Sequence, residues 1–408
     1  MFFLECIGCR ARYDPNEVVY SCSACGDLLE VNYDYINLAK HLDIREWRQR
    51  SMSVWRYVEL LPVLDRSLVV SLNEGGTRIH ECRKLAEEIG IKRLFLKNEG
   101  DNPTGSFKDR GMTVGITRAR ELGAKSVICA STGNTSASLA AYAARAGLKC
   151  LVLIPSGKIA AGKLAQAIIY GAKVLQVQTN FDGSLRLAIE MARLHKGFYL
   201  LNSGINPFRI EGQRTLAYEI CEQLLYHSPD LVVVPVGNAG NISAIWKGFR
   251  EFNELNLIGN FPRILAVQAE NASPIATAIK QDREKIEPVE NPETLASAIR
   301  IGRPISWKKA LAAIRDSRGM AETVTDEQIV AAQKLLAKTE GLFVEPASAS
   351  CLAGLKKIVQ KGQVDRDSTV VCIATGHGLK DPETAVKYSA KPVEVAADIS
   401  EIEKQVAV

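Results

Sequence analysis

The sequence lacks the features that would point to a membrane or to nucleic acid. None of its apolar runs approaches the roughly 18 residues of a membrane-spanning helix, and the longest, such as residues 231–236, have the length of a strand. The net charge is +5, but it is spread along the chain without any basic block. There is also no internal repeat and no low-complexity tract. We therefore expect neither a membrane partner nor a nucleic-acid partner.

The amino terminus also lacks the basic and long apolar segments of a secretion signal. Without such a signal, ten cysteines do not predict disulfides, because a chain of 408 residues can be stabilised by its own core. A reducing, cytoplasmic location is therefore expected.

Four of the ten cysteines are not scattered. Cys6 and Cys9 form one C-x2-C pair, and Cys22 and Cys25 form a second after twelve intervening residues. Each pair can chelate from one tight turn, and four thiolates surround Zn²⁺ tetrahedrally. The pattern predicts a structural zinc site in a ribbon-like segment at residues 1–30, with no coordination position left for catalysis. A nucleic-acid-binding ribbon is the alternative, but acidic residues outnumber basic ones in this segment.

The length predicts two domains, and the alternation of short apolar with longer amphipathic segments predicts an α/β fold. Strands are expected at residues 93–97, 126–130, 149–155, 173–177, 198–201, 230–236, 264–269 and 369–374. Helices are expected at residues 81–90, 108–123, 134–147, 157–171, 183–196, 212–226, 240–253, 325–340 and 347–360. Such alternation produces parallel sheets covered by helices on both faces. The proline-containing residues 271–318 break the alternation and predict helices and loops that cap the site.

The first unusual strand-to-helix loop ends in the motif SFKDR at residues 106–110. Ligands of parallel sheets bind at the carboxyl ends of strands, so functional residues are expected in these loops. Lys108 stands at a helix start beside Phe107, where desolvation and the positive helix end both lower the pKa of an amine. A neutral amine is what Schiff-base chemistry requires, although a lysine at a helix start is more often an ordinary surface residue.

Three further loops carry polar or glycine-rich sequence at the same kind of position. Residues 130–136 place hydroxyls and Asn134 at a helix start, which predicts an anion site, with helix capping as the alternative. Residues 235–241, PVGNAGN, let the backbone surround a phosphate, and they do not match the dinucleotide motif G-x-G-x-x-G. Thr375 follows a strand, and its loop holds His377, a residue type that is more often structural than catalytic. An amine, a phosphate loop, an anion loop and a hydroxyl are the parts that pyridoxal phosphate (PLP) needs.

These motifs resemble those of the PLP-dependent enzymes with the tryptophan-synthase-β fold, and four further segments resemble the threonine synthase family. The segments are SLNEGGT at 71–77, NPFRIEGQRT at 206–215, PVENPETLASAIRIG at 288–302 and FVEPASAS at 343–350. The resemblance implies an α/β fold of two doubly wound parallel-sheet domains with a small amino-terminal four-cysteine knuckle. It also implies a large PLP-binding domain at residues 31–105 and 206–408 and a smaller mobile domain at residues 106–205.

The resemblance further implies roles for individual residues. Lys108 would be the Schiff-base lysine and the acid–base catalyst, Asn134 would bond the phenolic oxygen of PLP, and Thr375 would face its pyridine nitrogen. The cofactor phosphate would be held by Gly237, Asn238, Ala239, Gly240 and Asn241. The substrate carboxylate would be held by Ser131, Thr132 and Thr135. The substrate phosphate would be held by Arg209, whose planar fork suits a phosphate, together with Thr135 and Asn238.

Two positions depart from the family pattern. The family commonly has Gly-Glu-Gly where this chain has Asn73, Glu74 and Gly75. It also usually has a hydroxyl residue where this chain has Gly204, with Ser203 one position earlier. The second difference leaves one phosphate contact open and would relax the preference for substrate.

The expected activity is that of a homodimeric threonine synthase, in which O-phospho-L-homoserine and water give L-threonine and phosphate. Two other PLP enzymes of the same fold stay open. A β-replacement enzyme acting on O-phosphoserine, such as a cysteate synthase, would keep the second anion site. A serine/threonine dehydratase would have no need of Arg209 as a phosphate ligand.

Overall fold

The computed structural model describes residues 2–156, 161–202 and 204–406, with the backbone alone for residues 161–163. The described strands form three sheets. A small antiparallel sheet at the amino terminus contains β1 (Phe2–Cys6), β2 (Arg12–Tyr13) and β3 (Leu29–Tyr33), in the order β2-β1-β3.

The two larger sheets are almost entirely parallel. The six-stranded sheet contains β4 (Ile79–Glu81), β5 (Arg93–Asn98), β10 (Leu231–Pro235), β11 (Arg263–Ala269), β12 (Met320–Val324) and β13 (Thr369–Ala374). Its order is β12-β11-β10-β13-β5-β4, and only β4 is antiparallel. The four-stranded sheet contains β6 (Ser126–Ala130), β7 (Lys149–Pro155), β8 (Lys173–Val177) and β9 (Phe198–Leu200), all parallel, in the order β8-β7-β6-β9.

Helices connect the strands and cover the sheets. The α-helices are α1 (Tyr35–His41), α2 (Ile44–Gln49), α3 (Arg83–Ile89), α4 (Lys108–Glu121), α5 (Asn134–Ala146), α6 (Ala161–Ile169), α7 (Phe181–Leu194), α8 (Pro207–Gln213), α9 (Thr215–Gln223), α10 (Gly240–Glu254), α11 (Pro274–Lys280), α12 (Trp307–Asp316), α13 (Asp326–Glu340), α14 (Pro346–Gln360), α15 (Pro382–Lys387) and α16 (Ile399–Val406). Short 3-10 helices lie at Val54–Leu60, Arg66–Leu68, Glu99–Asp101, Glu270–Ala272, Ser297–Ile299 and Gly378–Lys380. None of the helices in the described ranges has both the length and the apolar character that crossing a bilayer requires.

The six-stranded sheet is buried on both faces, as parallel sheets with helical crossovers are. Successive side chains of β10 point to opposite faces. Val232 and Val234 therefore pack into one apolar core and Leu231 and Val233 into another. A third core surrounds the four-stranded sheet and includes Val127 and Cys129 of β6. The predicted α/β fold with two doubly wound parallel sheets is confirmed.

The eight strands expected from the sequence are all present, with ends within one residue of the expected positions. The helices expected at 212–226 and 157–171 differ more. The first is two helices, α8 and α9, separated at Arg214, and α8 already begins at Pro207 because Asn206 caps it. The start of the second lies outside the described residues, and α6 is described from Ala161. Residues 271–318, all described, contain helices and loops as expected.

The structure contains strands that the sequence pattern did not predict, namely β1, β2, β3, β4 and β12. Edge strand β12 carries the buried Glu322 at its centre, which hides the apolar pattern of a strand. The carboxylate of Glu322 is compensated by three lysines at distances that only the fold creates, namely Lys280, Lys357 and Lys361.

The four-stranded sheet is built from residues 126–200, inside the segment 106–205 that was expected to form the smaller domain. The strands of the six-stranded sheet all lie outside that segment. The domain boundaries and the mobility of the smaller domain stay predictions.

Two glycines let helices α4 and α8 approach each other backbone to backbone. A Cβ atom at Gly111 would lie 2.5 Å from the carbonyl oxygen of Arg209. A Cβ atom at Gly212 would overlap the carbonyl group of Arg110. Any larger residue would push the helices apart, so these glycines determine how closely α8, with Arg209, packs against α4, with Lys108.

Candidate active site

Lys108 is the first residue of α4, and its amine has no hydrogen-bond or ion-pair partner among the described residues. The Nζ atom lies 3.9 Å from the centroid of the Phe107 ring. Desolvation, followed by the positive charge of Arg209, lowers the pKa of Lys108 to about 7, while Glu345 opposes this shift. A large fraction of Lys108 is therefore a neutral amine near pH 7, the form that acts as a nucleophile or a base.

The loop at residues 237–241 follows β10 and leads into the 15-residue helix α10. Ala239 has a left-handed φ of 65°, which turns the chain into the helix. Asn238 accepts a hydrogen bond from the backbone N–H of Ile305 at 2.7 Å, which holds the loop against residues 298–306. The side-chain amide of Asn241 is buried, and neither its nitrogen nor its oxygen has a partner among the described residues. A helix start with unpaired polar atoms suits an anionic group such as a phosphate.

The expected cap over the site is partly visible at this loop. A Cβ atom at Gly237 would lie 2.9 Å from the carbonyl oxygen of Ala298 and 3.0 Å from the Cα atom of Ile299. The segment therefore lies directly on the loop, at the edge where β10 ends.

Asn134 and Thr375 come from different sheets but meet at one carboxylate. Asn134 begins α5 after β6, and Thr375 follows β13. Asn134 Nδ2 donates to Glu345 Oε2 at 3.1 Å, and Thr375 Oγ1 donates to Glu345 Oε1 at 3.0 Å. The carbonyl oxygen of Thr375 also accepts a bond from the backbone N–H of Phe107 at 3.1 Å, which brings Thr375 next to the start of α4. The structure thus brings Asn134 and Thr375, which the sequence nominated in separate loops, to one carboxylate, with Thr375 beside the start of α4.

The loop at residues 131–133 leads into the 13-residue helix α5 and exposes hydroxyl groups at its amino end. Ser131 Oγ accepts a hydrogen bond from the N–H of Gly133 at 3.3 Å. The side chains of Thr132 and Thr135 have no hydrogen-bond partner in the described part of the chain, although Thr135 is buried. Free hydroxyls and first-turn N–H groups of a helix are suited to a carboxylate.

Arg209 is completely buried in α8, yet it makes only one hydrogen bond to a described residue, from Nη1 to the carbonyl oxygen of Leu201 at 2.9 Å. Its Nε and Nη2 atoms have no partner among the described residues. Burial lowers the pKa of Arg209 to about 10, and the charges of Cys129 and Asp109 oppose this shift only in part. Buried donors are normally satisfied, so two unpaired donors on a planar fork indicate a position for an anion.

The two departures from the family pattern have structural explanations. Asn73 has a left-handed φ of 62°, a conformation that asparagine tolerates better than most residues, so it replaces glycine here without a large penalty. Gly204 has a φ of 87°, and a Cβ atom there would lie 3.1 Å from Ser306 Oγ. A hydroxyl residue is therefore disfavoured at Gly204, and Ser203 lies outside the described residues.

Two candidate functional residues, Glu345 and Ser106, were given no role in the sequence analysis, and a third candidate, His377, has a structural role. Glu345 was quoted only as part of a family segment, and Ser106 only as part of the lysine motif. Ser106 is buried, and its Oγ has no partner among the described residues. His377 caps a 3-10 helix through its Nδ1 atom, which accepts from the N–H of Leu379 at 3.1 Å. The sequence held no separate signal for Glu345, because its inward-turned carboxylate depends on contacts with Asn134 and Thr375 from distant segments.

The four amino-terminal cysteines converge as their spacing predicts. Their Sγ atoms all lie within 4.8 Å of one another, with Cys6–Cys25 and Cys9–Cys22 contacts of 3.4 Å. Zinc–sulfur bonds of about 2.3 Å in a tetrahedron require sulfur atoms just under 4 Å apart, so the cluster fits a zinc ion.

The geometry also fits PLP. Lys108 provides an amine, the 237–241 loop provides a helix start for a phosphate, and Asn134 and Thr375 provide polar side chains that meet at Glu345. The buried polar atoms of Ser106 and Asn241 that lack partners in the described chain lie in the same motifs.

Comparison with known proteins decides the family. The family model for "Pyridoxal-phosphate dependent enzyme" matches residues 70–376. Threonine synthase from Methanocaldococcus jannaschii is 57% identical, and the alignment covers 98% of each chain. The chain belongs to the threonine synthase family of PLP-dependent enzymes. Other members are similar as well: threonine synthase from Methanosarcina acetivorans is 53% identical over 100% of this chain and 99% of its own length.

Solved structures of this family's wider fold are also similar. Maize serine racemase has a TM-score of 0.65 at 24% identity and covers 76% of this chain and 90% of its own. Threonine deaminase isoform 2 from Solanum lycopersicum has a TM-score of 0.65 at 18% identity and covers 93% of this chain and 98% of its own. At these identities the likeness establishes the fold alone.

Proposed function

We propose that this protein is a threonine synthase that uses PLP to convert O-phospho-L-homoserine and water to L-threonine and inorganic phosphate. The observation that carries the proposal is Arg209, a buried arginine with two unpaired donors whose charge acts on the low-pKa amine of Lys108. An amine and a separate phosphate-binding fork are what a phosphorylated amino-acid substrate requires. The high identity to threonine synthases over nearly the whole chain supports this substrate.

PLP would be held by Lys108, by Asn134 and Thr375 at its ring, and at its phosphate by Gly237, Asn238, Ala239, Gly240 and Asn241. When bound, PLP supplies an electron sink for negative charge that develops on the substrate's Cα. The backbone N–H groups at the amino end of α10 favour the phosphate dianion, because the helix dipole is positive there.

The substrate would be held at both ends. Ser131, Thr132 and Thr135 surround the amino end of α5 and would bind its carboxylate. Arg209 would bind its phosphate, and the pairing would satisfy the two donors that have no protein partner in the described chain. Binding at both ends fixes the Cα and Cβ atoms relative to Lys108, which is the positioning that catalysis requires.

Lys108 would move the protons. The reaction releases phosphate from Cγ and adds water at Cβ. Protons must therefore leave Cα and Cβ, and protons must be returned to Cα and to Cγ, which becomes the methyl group. A base near neutral in pKa can both accept and donate a proton at working pH. The pKa of about 7 that burial and Arg209 impose on Lys108 meets that requirement.

The test is spectroscopic and chemical. Purified protein is titrated with PLP while visible absorption is recorded, and then O-phosphohomoserine is added while phosphate and threonine are measured. A visible band that changes with substrate, together with equal amounts of the two products, supports the proposal. If O-phosphohomoserine leaves the band unchanged, a response to O-phosphoserine would indicate a β-replacement enzyme and a response to serine would indicate a dehydratase.

We further propose that Cys6, Cys9, Cys22 and Cys25 hold a structural zinc ion. The converging thiols support this, and four protein ligands leave no position for substrate. Metal analysis should find about one zinc per chain, and replacing Cys9 and Cys25 with serine should remove it. Cys150, outside the cluster, serves as the control position. Zinc content that survives the double replacement would contradict the proposal.

We also propose that the protein is a cytoplasmic homodimer. Its smaller domain, residues 106–205, is proposed to be mobile. The substrate loop at 131–135 belongs to the four-stranded sheet, whereas the cofactor loop at 237–241 belongs to the six-stranded sheet. Movement of one sheet toward the other would close the site and exclude water. Light scattering gives the oligomeric state, and hydrogen exchange with and without substrate tests the movement.

A further inference from the structure

Glu345 holds an unusual position at the start of helix α14. It is the N-cap residue before Pro346, yet its side chain makes no capping bond. The carboxylate instead turns into the protein, where Glu345 is only 4% exposed, and accepts bonds from Asn134 and Thr375. Burial of a carboxylate costs free energy, and no capping bond of Glu345 offsets that cost. The burial therefore indicates a role for this carboxylate inside the protein.

The surroundings fix the carboxylate firmly. The backbone N–H of Glu345 donates to the carbonyl oxygen of Gly376 at 3.0 Å. A Cβ atom at Gly376 would lie 2.8 Å from the carboxylate carbon, so no larger residue fits beside it. The charged groups that face the carboxylate are the ammonium groups of Lys108 and Lys380. Burial raises the pKa of Glu345, whereas the bonds from Asn134 and Thr375 and the charges of Lys380 and Lys108 favour its charged form.

The carboxylate of Glu345 determines where the hydrogen atom of the Thr375 hydroxyl points. A hydroxyl has one hydrogen to donate, and Thr375 donates it to Glu345. The neighbouring Ser348 Oγ lies 3.0 Å from Thr375 Oγ1 and accepts from the N–H of Gly376 at 3.0 Å. Whichever acceptor Ser348 uses for its own hydrogen, Thr375 has only lone pairs left for another group.

We propose that Glu345 is a positioning residue that makes Thr375 a hydrogen-bond acceptor toward the ring nitrogen of PLP, so that this nitrogen is held in its protonated form. The inference rests on the proposed place of Thr375 at the ring nitrogen. A neutral hydroxyl alone accepts or donates equally well, so Thr375 by itself would leave the protonation state undecided. A protonated ring withdraws electrons more strongly, which suits a reaction that develops negative charge at Cα and then at Cβ.

The test uses the holoenzyme with PLP labelled with nitrogen-15 in the ring, observed by NMR. Protonation of a pyridine nitrogen moves its resonance strongly upfield, so the signal reports the proton rather than turnover. The wild-type enzyme is expected to show the protonated resonance across neutral pH. An unprotonated wild-type resonance overturns the proposal without any variant having to fold.

The decisive variant is Glu345→Gln. Its amide oxygen can still accept from Asn134, but its NH₂ group then donates to Thr375, which frees the threonine hydrogen for the ring nitrogen. The resonance should move downfield to the unprotonated position while the visible band shows that PLP is still bound. Ser348→Ala is the matched control, because it removes a hydroxyl from Thr375 without touching the bond to Glu345, and its resonance should stay protonated.

The outcomes separate this inference from the proposed substrate. An unchanged resonance in Glu345→Gln overturns the role of Glu345. An unchanged resonance in Thr375→Ala overturns the placement of Thr375 and the inference with it. A protonated resonance that shifts in Glu345→Gln supports the inference even if the wild-type enzyme fails to convert O-phosphohomoserine.

Discussion

Two pairs of cationic side chains, each with one member on α4, differ in how their charges are satisfied. In the first pair, Lys97 donates to Glu219, Gln223 and the carbonyl oxygen of Thr77 at 2.7 to 2.9 Å. Arg110 donates from Nε to Glu99 and from Nη1 to Glu219, both at 2.6 Å. All four charged side chains of this cluster are completely buried.

The second pair, Lys108 and Arg209, has almost no partners within the described ranges of the chain. Lys108 makes no hydrogen bond to any described residue, and Arg209 makes one. Glu219 and Glu99 hold the pKa of Arg110 well above its ordinary value, whereas burial lowers the pKa of Arg209 to about 10 despite the opposing charges of Cys129 and Asp109. A buried charge with all of its partners supports the fold, and one without them is available to a ligand.

The largest expected effect is the loss of activity when Lys108 is replaced. Lys108→Ala should reduce turnover by roughly 1,000-fold or more, because it removes the proposed general base. The thermal midpoint should hardly change, since Lys108 bonds to nothing in the described chain. Product assays and thermal unfolding measure the two effects, with Lys92→Ala at the surface as the control. Activity near the wild-type level would remove Lys108 from the mechanism.

The next effect is on stability. Arg110→Met should lower the free energy of unfolding by about 3–5 kcal/mol, because Glu99 and Glu219 would stay buried without full compensation. Urea unfolding measures this loss. The exposed Arg145→Met should change it by less than about 0.5 kcal/mol. Equal midpoints for the two variants would show that the cluster does not stabilise the fold.

In contrast to Arg110→Met, Arg209→Met should reduce activity and leave stability intact. Loss of a charged fork should reduce kcat/KM for O-phosphohomoserine by roughly 100-fold, while a substrate without phosphate should be unaffected. Stability should be unchanged or higher, because the arginine's unpaired buried donors disappear. Arg145→Met again provides the control. Marked unfolding of Arg209→Met would mean that Arg209 is structural, like Arg110.

The smallest effect is a shift in pH dependence. PLP is captured by the neutral amine, so the rate of cofactor uptake by Lys108 should fall about tenfold per unit below pH 7 and level off above it. Arg209→Met removes a neighbouring positive charge, so the pKa of Lys108 should rise and the midpoint should move to higher pH. Stopped-flow absorption measures both profiles. A wild-type midpoint near pH 10 would contradict the lowered pKa.

Elements with a complete local pattern could be predicted from the sequence. The buried strands β10 and β13 are continuous apolar runs, and the four-cysteine cluster follows from two short spacings. Strand β12 could not be predicted, because its central Glu322 is compensated by lysines from other elements. The division between α8 and α9 also depends on packing, since Gly212 lies against α4.

The sequence by itself determined eight of the strands, the strand-to-helix loops that lead to Lys108, Asn134 and Thr375, and the resemblance that singled out Arg209 and the family. These properties depend on neighbouring residues, whose periodicity and spacing are visible along the chain. Only the tertiary structure decided which charges are satisfied. Lys97 meets Glu219 across 122 positions, and Asn134 meets Glu345 across 211. Burial and hydrogen-bond partners arise when distant segments pack, so the difference between Arg110 and Arg209 exists only in the folded chain.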